Sequence, residues 1–290
     1  MPLNQETIEA ALKAGRQSAY LPFSLHLFET VSSTNQIVWD LLGSGSEPGC
    51  VAIATQQTSG RGQWGRQWVS QEGGLYLSVA IAPNIEASNS YQLTLATAWG
   101  IAQQLQSCGI PLGIKWPNDL VCKSDENGYK YKKLGGILTE TKVQTGKISQ
   151  AVIGVGINWA NPVPETGINL ETWQANQQPK PIPSLEMLTS TILLGIESGI
   201  QSLFQEGINI LLSRYLEFLI NIGEEIYVND VMSTIVGVTH TGDLRVCVET
   251  SKQRKIMQSE IHLQPGTISL GYRKLRLTTH NTTITNEAAQ

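Results

Sequence analysis

The chain has 290 residues, 41% hydrophobic and 15% charged, enough apolar material for one large domain plus a small one or for two medium domains, and too much for wholesale disorder. A formal net charge of −4 gives no sign of a general nucleic-acid-binding protein, which would normally carry a basic face.

In chain order, no basic stretch followed by an apolar core opens the sequence, so no signal peptide is expected. Residues 4–18 read as a short amphipathic helix, too small for a helix-turn-helix domain. In "VSSTNQ", Ser33, Thr34 and Asn35 precede "QIVWDLL", either as an ordinary helix start or as polar ligands. Strand candidates follow at 51–55, 74–82, 113–116, 134–140 and 151–157, rich in β-branched and apolar residues. A helix interrupts them, with Tyr91, Leu95, Ala98, Ala102 and Leu105 on one face. A Pro- and Asn-rich connection over 158–183 leads to two helices, 185–204 and 207–220, the first with Ser184 as N-cap.

After Gly223 the texture changes to short strands, "EEIYV", "STIVGV", "GDLRVCVE" and "RKIMQSEI", which predict a small β-barrel. The expected division is a helical segment 1–20, a catalytic domain 21–222, a small β domain 223–277 and a disordered tail 278–290, in which the sequon Asn281-Thr282-Thr283 carries no meaning. The cysteines Cys50, Cys108, Cys122 and Cys247 show no C-x-x-C spacing, so buried thiols in a reducing cytosol are expected rather than a metal site or disulfides. No apolar run is read as long enough to cross a bilayer, and a soluble cytoplasmic protein is expected.

"GRGQWG", Gly60 to Gly65, matches the G-x-G-x-x-G pattern of a dinucleotide-binding turn and follows a strand candidate. That turn works only if a helix starts at the glycines and its N-terminal amides hold a pyrophosphate. Here "RQWVSQEGGLYLSVA" reads as a loop into a strand, and Glu86 falls after that strand, so the match is read as accidental. Arg61 and Arg66 stand among glycines beside Trp64 and Trp68. Forked guanidinium groups suit phosphate or carboxylate, and an indole offers a flat face. The stretch fits a flexible loop that closes over a nucleotide phosphate; a plain solvated surface loop is the alternative.

Three further blocks accompany it. In "GIKWPNDLV", Pro117-Asn118-Asp119 is turn chemistry, but it leaves unexplained Lys115 on an apolar strand, where a buried ammonium needs a partner. In "KKLGGILTE", Lys133 opens an apolar strand whose Gly135 and Gly136 leave room for a ligand or a neighbouring backbone. Lys132 alternates to the other face and is expected to be exposed. "VIGVGINW" ends a buried strand with Gly156 and Asn158.

In this order and spacing, "STNQ", "Q-x-x-GRG-x-x-GR-x-W", "GGLYLS", "KWPND", "KLGGIL-x-E" and "IGVGIN" resemble the biotin protein ligases (biotin–[acetyl-CoA-carboxylase] ligases). The blocks cover about residues 30–160, and the later helices and strands match in layout. The resemblance implies an α+β fold: a mixed-sheet catalytic domain of the class II aminoacyl-tRNA synthetase-like, biotin–lipoate ligase type, followed by an SH3-like barrel. It implies a two-step reaction, in which the biotin carboxylate attacks the α-phosphorus of ATP to give biotinyl-5′-AMP and pyrophosphate, and a carrier lysine then releases AMP. Biotin, ATP and Mg²⁺ would be required, and the acceptor would be the biotin carboxyl carrier protein domain of a biotin-dependent carboxylase. Neither DNA nor membrane is an expected partner, and the protein would be a monomer or homodimer.

By the same resemblance, Lys133, Arg61 and Lys115 are the catalytic cations. Ser33, Thr34, Asn35, Gln57, Gly60, Arg61, Gly73, Gly74, Lys133 and Gly136 would bind biotin, Asn35 equally serving as a helix cap. Arg61, Arg66, Trp68, Lys115, Asn118, Asp119 and Asn158 would bind the nucleotide, with Asp119 near Mg²⁺. Many relatives carry a further arginine in the loop where this chain has Gln63 followed by Trp64, which puts the grip on the adenylate in doubt. A lipoate ligase or octanoyltransferase shares the fold and is the rival enzyme; a non-catalytic regulator on the same fold is the rival of another class.

Overall fold

The computed structural model describes residues 3–16, 19–124, 128–252 and 255–272. The tail 278–290, with its sequon, lies outside them.

A helix α1 (Gln5–Gly15) is followed by β1 (Ser24–Val31), α2 (Thr34–Gly43) and β2 (Cys50–Gln57). β1 and β2 pair in parallel across the α2 crossover, whereas all other strand pairs of the sheet are antiparallel. The remaining strands are β3 (Leu75–Ile81), β4 (Ile85–Glu86), β5 (Leu112–Lys115), β6 (Asp119–Lys123), β7 (Tyr131–Gln144) and β8 (Lys147–Ile157). The order is β1-β2-β3-β8-β7-β6-β5, with β4 against β8. The expected mixed sheet is thus present. β1, β4 and β6 have no counterpart among the sequence-derived strands, since β1 is an edge strand whose faces are neither cleanly buried nor cleanly exposed, β4 is only two residues long and β6 starts inside the turn-like Pro-Asn-Asp.

The period-two alternation of the strands separates two cores. Val51, Ile53, Val79, Ile81, Ala151 and Ile153 face a large layer with α1, α3 (Ser90–Ser107) and α5 (Leu185–Gln205). The intervening Cys50, Ala52, Ala80 and Val152 face α2 through Val38. Both faces of the central strands are therefore covered. That coverage corrects the expectation for Lys132: it is only 4% exposed. It sits across from the fully buried Cys122, and alternation separates faces without saying which face meets water.

Two other expectations also change. α5 is long and apolar enough to cross a membrane by length and composition, contrary to the sequence reading, but 72% of its apolar window is buried. It packs on α3 so closely that a Cβ on Gly195 would come within 2.7 Å of the Ile101 backbone. Of the cysteines, Cys50 and Cys122 are buried as expected, while Cys108 and Cys247 are partly exposed. α4 (Leu170–Trp173) lies in the connection, and α6 (Ile208–Phe218) follows α5.

The C-terminal strands β9 (Glu225–Val228), β10 (Val231–Val238), β11 (Leu244–Lys252) and β12 (Lys255–Leu263) form an antiparallel meander in the order β12-β11-β10-β9, consistent with the expected SH3-like unit. Its β10–β11 turn is bonded to α3 and to the residue after β5, and the segment that leads into β9 is bonded there as well. Trp116 Nε1 donates to the Gly242 carbonyl at 2.9 Å, Gln92 Nε2 donates to the His240 carbonyl at 3.1 Å, and the Trp116 amide donates to Asn221 Oδ1 at 2.9 Å.

Candidate functional site

Strand register builds the floor of a cavity on the α2 face. Asp119, Gly136 and Gly156 are cross-strand partners in one row, and Leu138, Gly154 and Ser78 in the next. Directly paired residues project from the same face, so the missing side chains of Gly136, Gly154 and Gly156 leave a hollow. The Trp68 indole lies over it, since a Cβ would come within 3.2 Å of the ring at Gly136 and 2.7 Å at Gly156. The cavity, about 180 Å³, is closed by the start of α2, by the 58–69 loop and by residues 266–270.

At one end stands a charge cluster in which Lys115 is buried and Asp119 and Lys133 are partly exposed. Lys133 Nζ touches Asp119 Oδ1, Lys115 Nζ lies 3.5 Å from Asp119 Oδ2, and the Tyr272 hydroxyl donates to the same oxygen at 2.8 Å. Lys115 also sits 4.6 Å from the centre of the Tyr272 ring, and Lys133 4.9 Å from that of Trp68, both favourable for an ammonium. Burial pushes the Asp119 carboxyl up, but the charges of Lys133 and Lys115 outweigh it and hold the group below its ordinary range. Burial dominates at Lys115 and pulls its ammonium below the ordinary lysine range despite Asp119. Two ammonium groups face the one carboxylate between them, with Glu224 a weaker negative influence on Lys115, so the cluster is biased towards positive charge and suited to receive an anion. Asn118 fixes the turn that presents it, donating from Nδ2 to the Ile137 carbonyl at 2.6 Å.

The other end is polar and neutral. Ser33 is 5% exposed, lines the cavity and makes no side-chain cap bond to α2. The start of α2 is held by Gln57 instead, whose Oε1 accepts from the Thr34 amide at 2.8 Å and from its hydroxyl at 3.2 Å. Gln57 Nε2 in turn donates to Ser70 Oγ at 2.7 Å. Asn35 is occupied on both sides: Oδ1 accepts from Ser78 at 2.6 Å and Nδ2 donates to Glu140 at 2.8 Å. Trp68 Nε1 is buried without a hydrogen-bond partner among the described residues, a donor left for an acceptor to satisfy.

The 58–69 loop is not a helix start. Its ends fold back on each other, with Trp68 N donating to Gly60 O at 3.0 Å and Gly62 N to Arg66 O at 2.7 Å; β3, not a helix, follows. The pyrophosphate-binding turn is thereby excluded. Arg61 is tied by both NH groups to Glu140 at 3.2 Å, and Trp39 Nε1 donates to the same carboxylate at 3.2 Å. Arg66 is exposed at the rim.

Of the residues singled out from sequence, the cavity brings together Ser33, Thr34, Asn35, Gln57, Arg61, Arg66, Trp68, Lys115, Asn118, Asp119, Lys133 and Gly136. Gly60, Gly73, Gly74 and Asn158 are not among its lining residues. Gly60 permits the close approach of the loop's own backbone, a Cβ there meeting Trp68 O at 2.5 Å. Gly73, at φ +92°, turns the chain beside Asn161, and Gly74 abuts the Tyr76 phenol. Asn158 braces the strand of Lys133: Nδ2 donates to the Lys133 carbonyl at 3.3 Å and Oδ1 accepts from Asn161 at 3.0 Å. Sequence reasoning missed Glu140, Tyr272 and the 266–270 segment, and it named Trp64 in the loop without assigning it a place in the site. Glu140 stood within the quoted "KLGGIL-x-E" block, whereas nothing local marks Tyr272, which reaches Asp119 from 153 residues away. Among the described residues no cluster of three or more His, Cys, Asp or Glu side chains could cage a metal.

Residues 27–158 match the model of the biotin/lipoate A/B protein ligase family. The chain is 34% identical over 152 residues to the bifunctional ligase/repressor BirA of Bacillus subtilis, covering 52% of this chain and 45% of that protein. It is 30% identical over 118 residues to the biotin–[acetyl-CoA-carboxylase] ligase of Paracoccus denitrificans, covering 40% and 46%. The chain spans about half the length of these curated relatives. The fold is that of the biotin protein ligase from Aquifex aeolicus in complex with biotin and ATP, with a TM-score of 0.61 at 23% identity over 81% of this chain and 95% of that one. The similarity to the biotin/lipoate A/B protein ligase family thus lies in residues 27–158, the part of the chain that carries the cavity floor.

Proposed function

We propose that the protein is an ATP-dependent biotin–protein ligase that forms biotinyl-5′-AMP and transfers biotin to a lysine of a carboxylase carrier domain. The observation that carries this reading is the Lys115–Asp119–Lys133 cluster, two ammonium groups on one carboxylate, at the end of a cavity whose other half is neutral and polar. A bicyclic ureido acid matches that division. Its uncharged ring suits Ser33, Thr34 and Gln57, and its carboxylate suits the cluster. The family match and the names of the relatives, which include an acetyl-CoA-carboxylase ligase and a structure with biotin and ATP, support the same substrates and acceptor.

In this reading the first step brings a carboxylate oxygen onto the α-phosphorus, forming the acyl–phosphate bond as the bond to pyrophosphate breaks. Lys133, standing between Trp68 and Asp119, touches both anions and offsets the charge on the non-bridging oxygens; Lys115 serves the leaving phosphates. Asn118 and Asp119 hold the nucleotide side, and Trp68 offers its free N–H and its ring face. Mg²⁺ would arrive on the phosphates, with Asp119 the nearest carboxylate. Arg61 and Arg66 bring charge from the loop, which keeps water from the anhydride. In the second step the carrier lysine attacks the acyl carbon and AMP leaves with the bonding pair.

Incubation of the chain with ATP, Mg²⁺, a carrier domain and either biotin or lipoate, read by mass, tests the proposal. Addition of one biotinyl group to the carrier, with pyrophosphate release dependent on biotin, is expected. Modification by lipoate alone would assign the rival ligase activity, and absence of both would leave a non-catalytic role for the fold.

A further inference from the structure

The 58–69 loop is fastened at two points, and only one of them uses charge. At its base Arg61 pairs with Glu140. At its tip stands Trp64, an unusual residue in an unusual conformation. Its backbone is left-handed, φ 60° and ψ 37°, a region that bulky L-residues avoid and that persists only where the surroundings hold it. The side chain is 59% exposed, yet the indole lies flat against Gly266 of the segment after β12. A Cβ on Gly266 would come within 2.6 Å of the indole, and Gly266 itself sits at φ +92°, so glycine is required there twice over. Trp64 and Gly266 line the same cavity. The contact therefore joins the loop to the chain that leaves the C-terminal sheet, directly over the site.

We propose that Trp64 is a latch. It clamps the tip of the loop onto the 266–270 segment and so sets how long an acyl-adenylate stays enclosed; here the inference rests on the proposed ligase activity. An indole on a glycine closes the loop by packing, independent of salt, where Gln63 brings no charge. Trp64 touches no reacting group and acts by placing the loop, as a positioning residue whose removal leaves the Lys133 cluster in place.

The test uses the full chain and the variants Trp64→Ala, Trp64→Gly and Trp64→Phe. Glycine suits the left-handed backbone better than tryptophan, so a change shared by Ala and Gly reports loss of the ring and not relief of strain. Two readouts are needed: dissociation of preformed biotinyl-AMP in a chase, and the rate of tryptic cleavage after Arg61 and Arg66 in ligand-free protein. In both the Ala and Gly variants the adenylate is expected to leave about tenfold faster and the loop to be cut faster. Pyrophosphate exchange should stay within about twofold of the parent, and Phe should restore part of the retention. Parental dissociation and parental cleavage rates in the Ala and Gly variants would overturn the latch. If the parent forms no biotinyl-AMP, the ligase proposal fails on its own, and the cleavage rates alone decide the latch.

Discussion

The protein contains the same electrostatic arrangement twice, a carboxylate between two nitrogen bases, and the two copies do opposite things. Asp119, with Lys115 and Lys133, is largely withdrawn from water, the three side chains 14%, 9% and 29% exposed. Glu260, with Arg245 and His262 on the outer strands of the C-terminal sheet, lies in water, at 38%, 39% and 52%. Arg245 first and His262 second pull the Glu260 carboxyl down to about 2, but solvent screens such a pair and side-chain ordering offsets much of it. Around Asp119 the charges have lost much of their water, so each is strongly felt by its neighbours and by any anion that enters. Geometry alone does not separate a functional cluster from a decorative one; desolvation does.

Removing the central cation is the hardest strike at that contrast. Lys133→Ala should lower biotinyl-AMP formation by roughly 10²–10³-fold while leaving biotin binding largely intact, measured by pyrophosphate exchange and by calorimetry. Near-parental exchange would reduce the Asp119 cluster to a structural feature. A smaller effect sharpens the role of burial. Because burial lowers the Lys115 pKa, its charge is lost below the 10.5 of an ordinary lysine. ATP affinity should therefore fall as pH rises within that lower range, and Lys115→Arg, whose guanidinium stays protonated, should flatten the fall. A profile unchanged by the arginine would assign the titration elsewhere. The smallest effect is expected on the exposed copy: Glu260→Gln should leave the urea midpoint and adenylate formation unchanged within error. A clear loss of either would show that exposure is no guide to the weight of these clusters.

Much of this organisation is readable from local chemistry. The helices α3, α5 and α6 announce themselves by periodicity and by Ser184, which caps α5 through the Met187 amide. The Gly60–Gly65 motif is exposed as an accidental match because a strand, β3, comes next and not an α-helix. Lys115 is suspicious in the sequence for the reason found in the structure, an ammonium on an apolar strand that needs Asp119. Other features resist reading. Asn158 looks like a ligand at the end of its strand and is a brace for the strand of Lys133. Asn35 looks like a cap or a ligand, and its amide joins Ser78 to Glu140. Lys132 looks solvated because alternation is blind to what covers the far face of a sheet.

By itself the sequence determined the residue types and spacings: two lysines and an aspartate within nineteen positions of one another, glycines in the strands that floor the cavity, and a glycine-rich loop that runs on into a strand. These follow from backbone preference and from the cost of burying charge, which act over a few residues. Only the tertiary structure decided which groups meet. Tyr272 on Asp119, Arg61 on Glu140 and Trp64 on Gly266 join positions 79 or more residues apart. No local preference encodes such pairs; they exist because the sheet and the segment after the last strand pack where each buries the most surface and leaves the fewest charges alone.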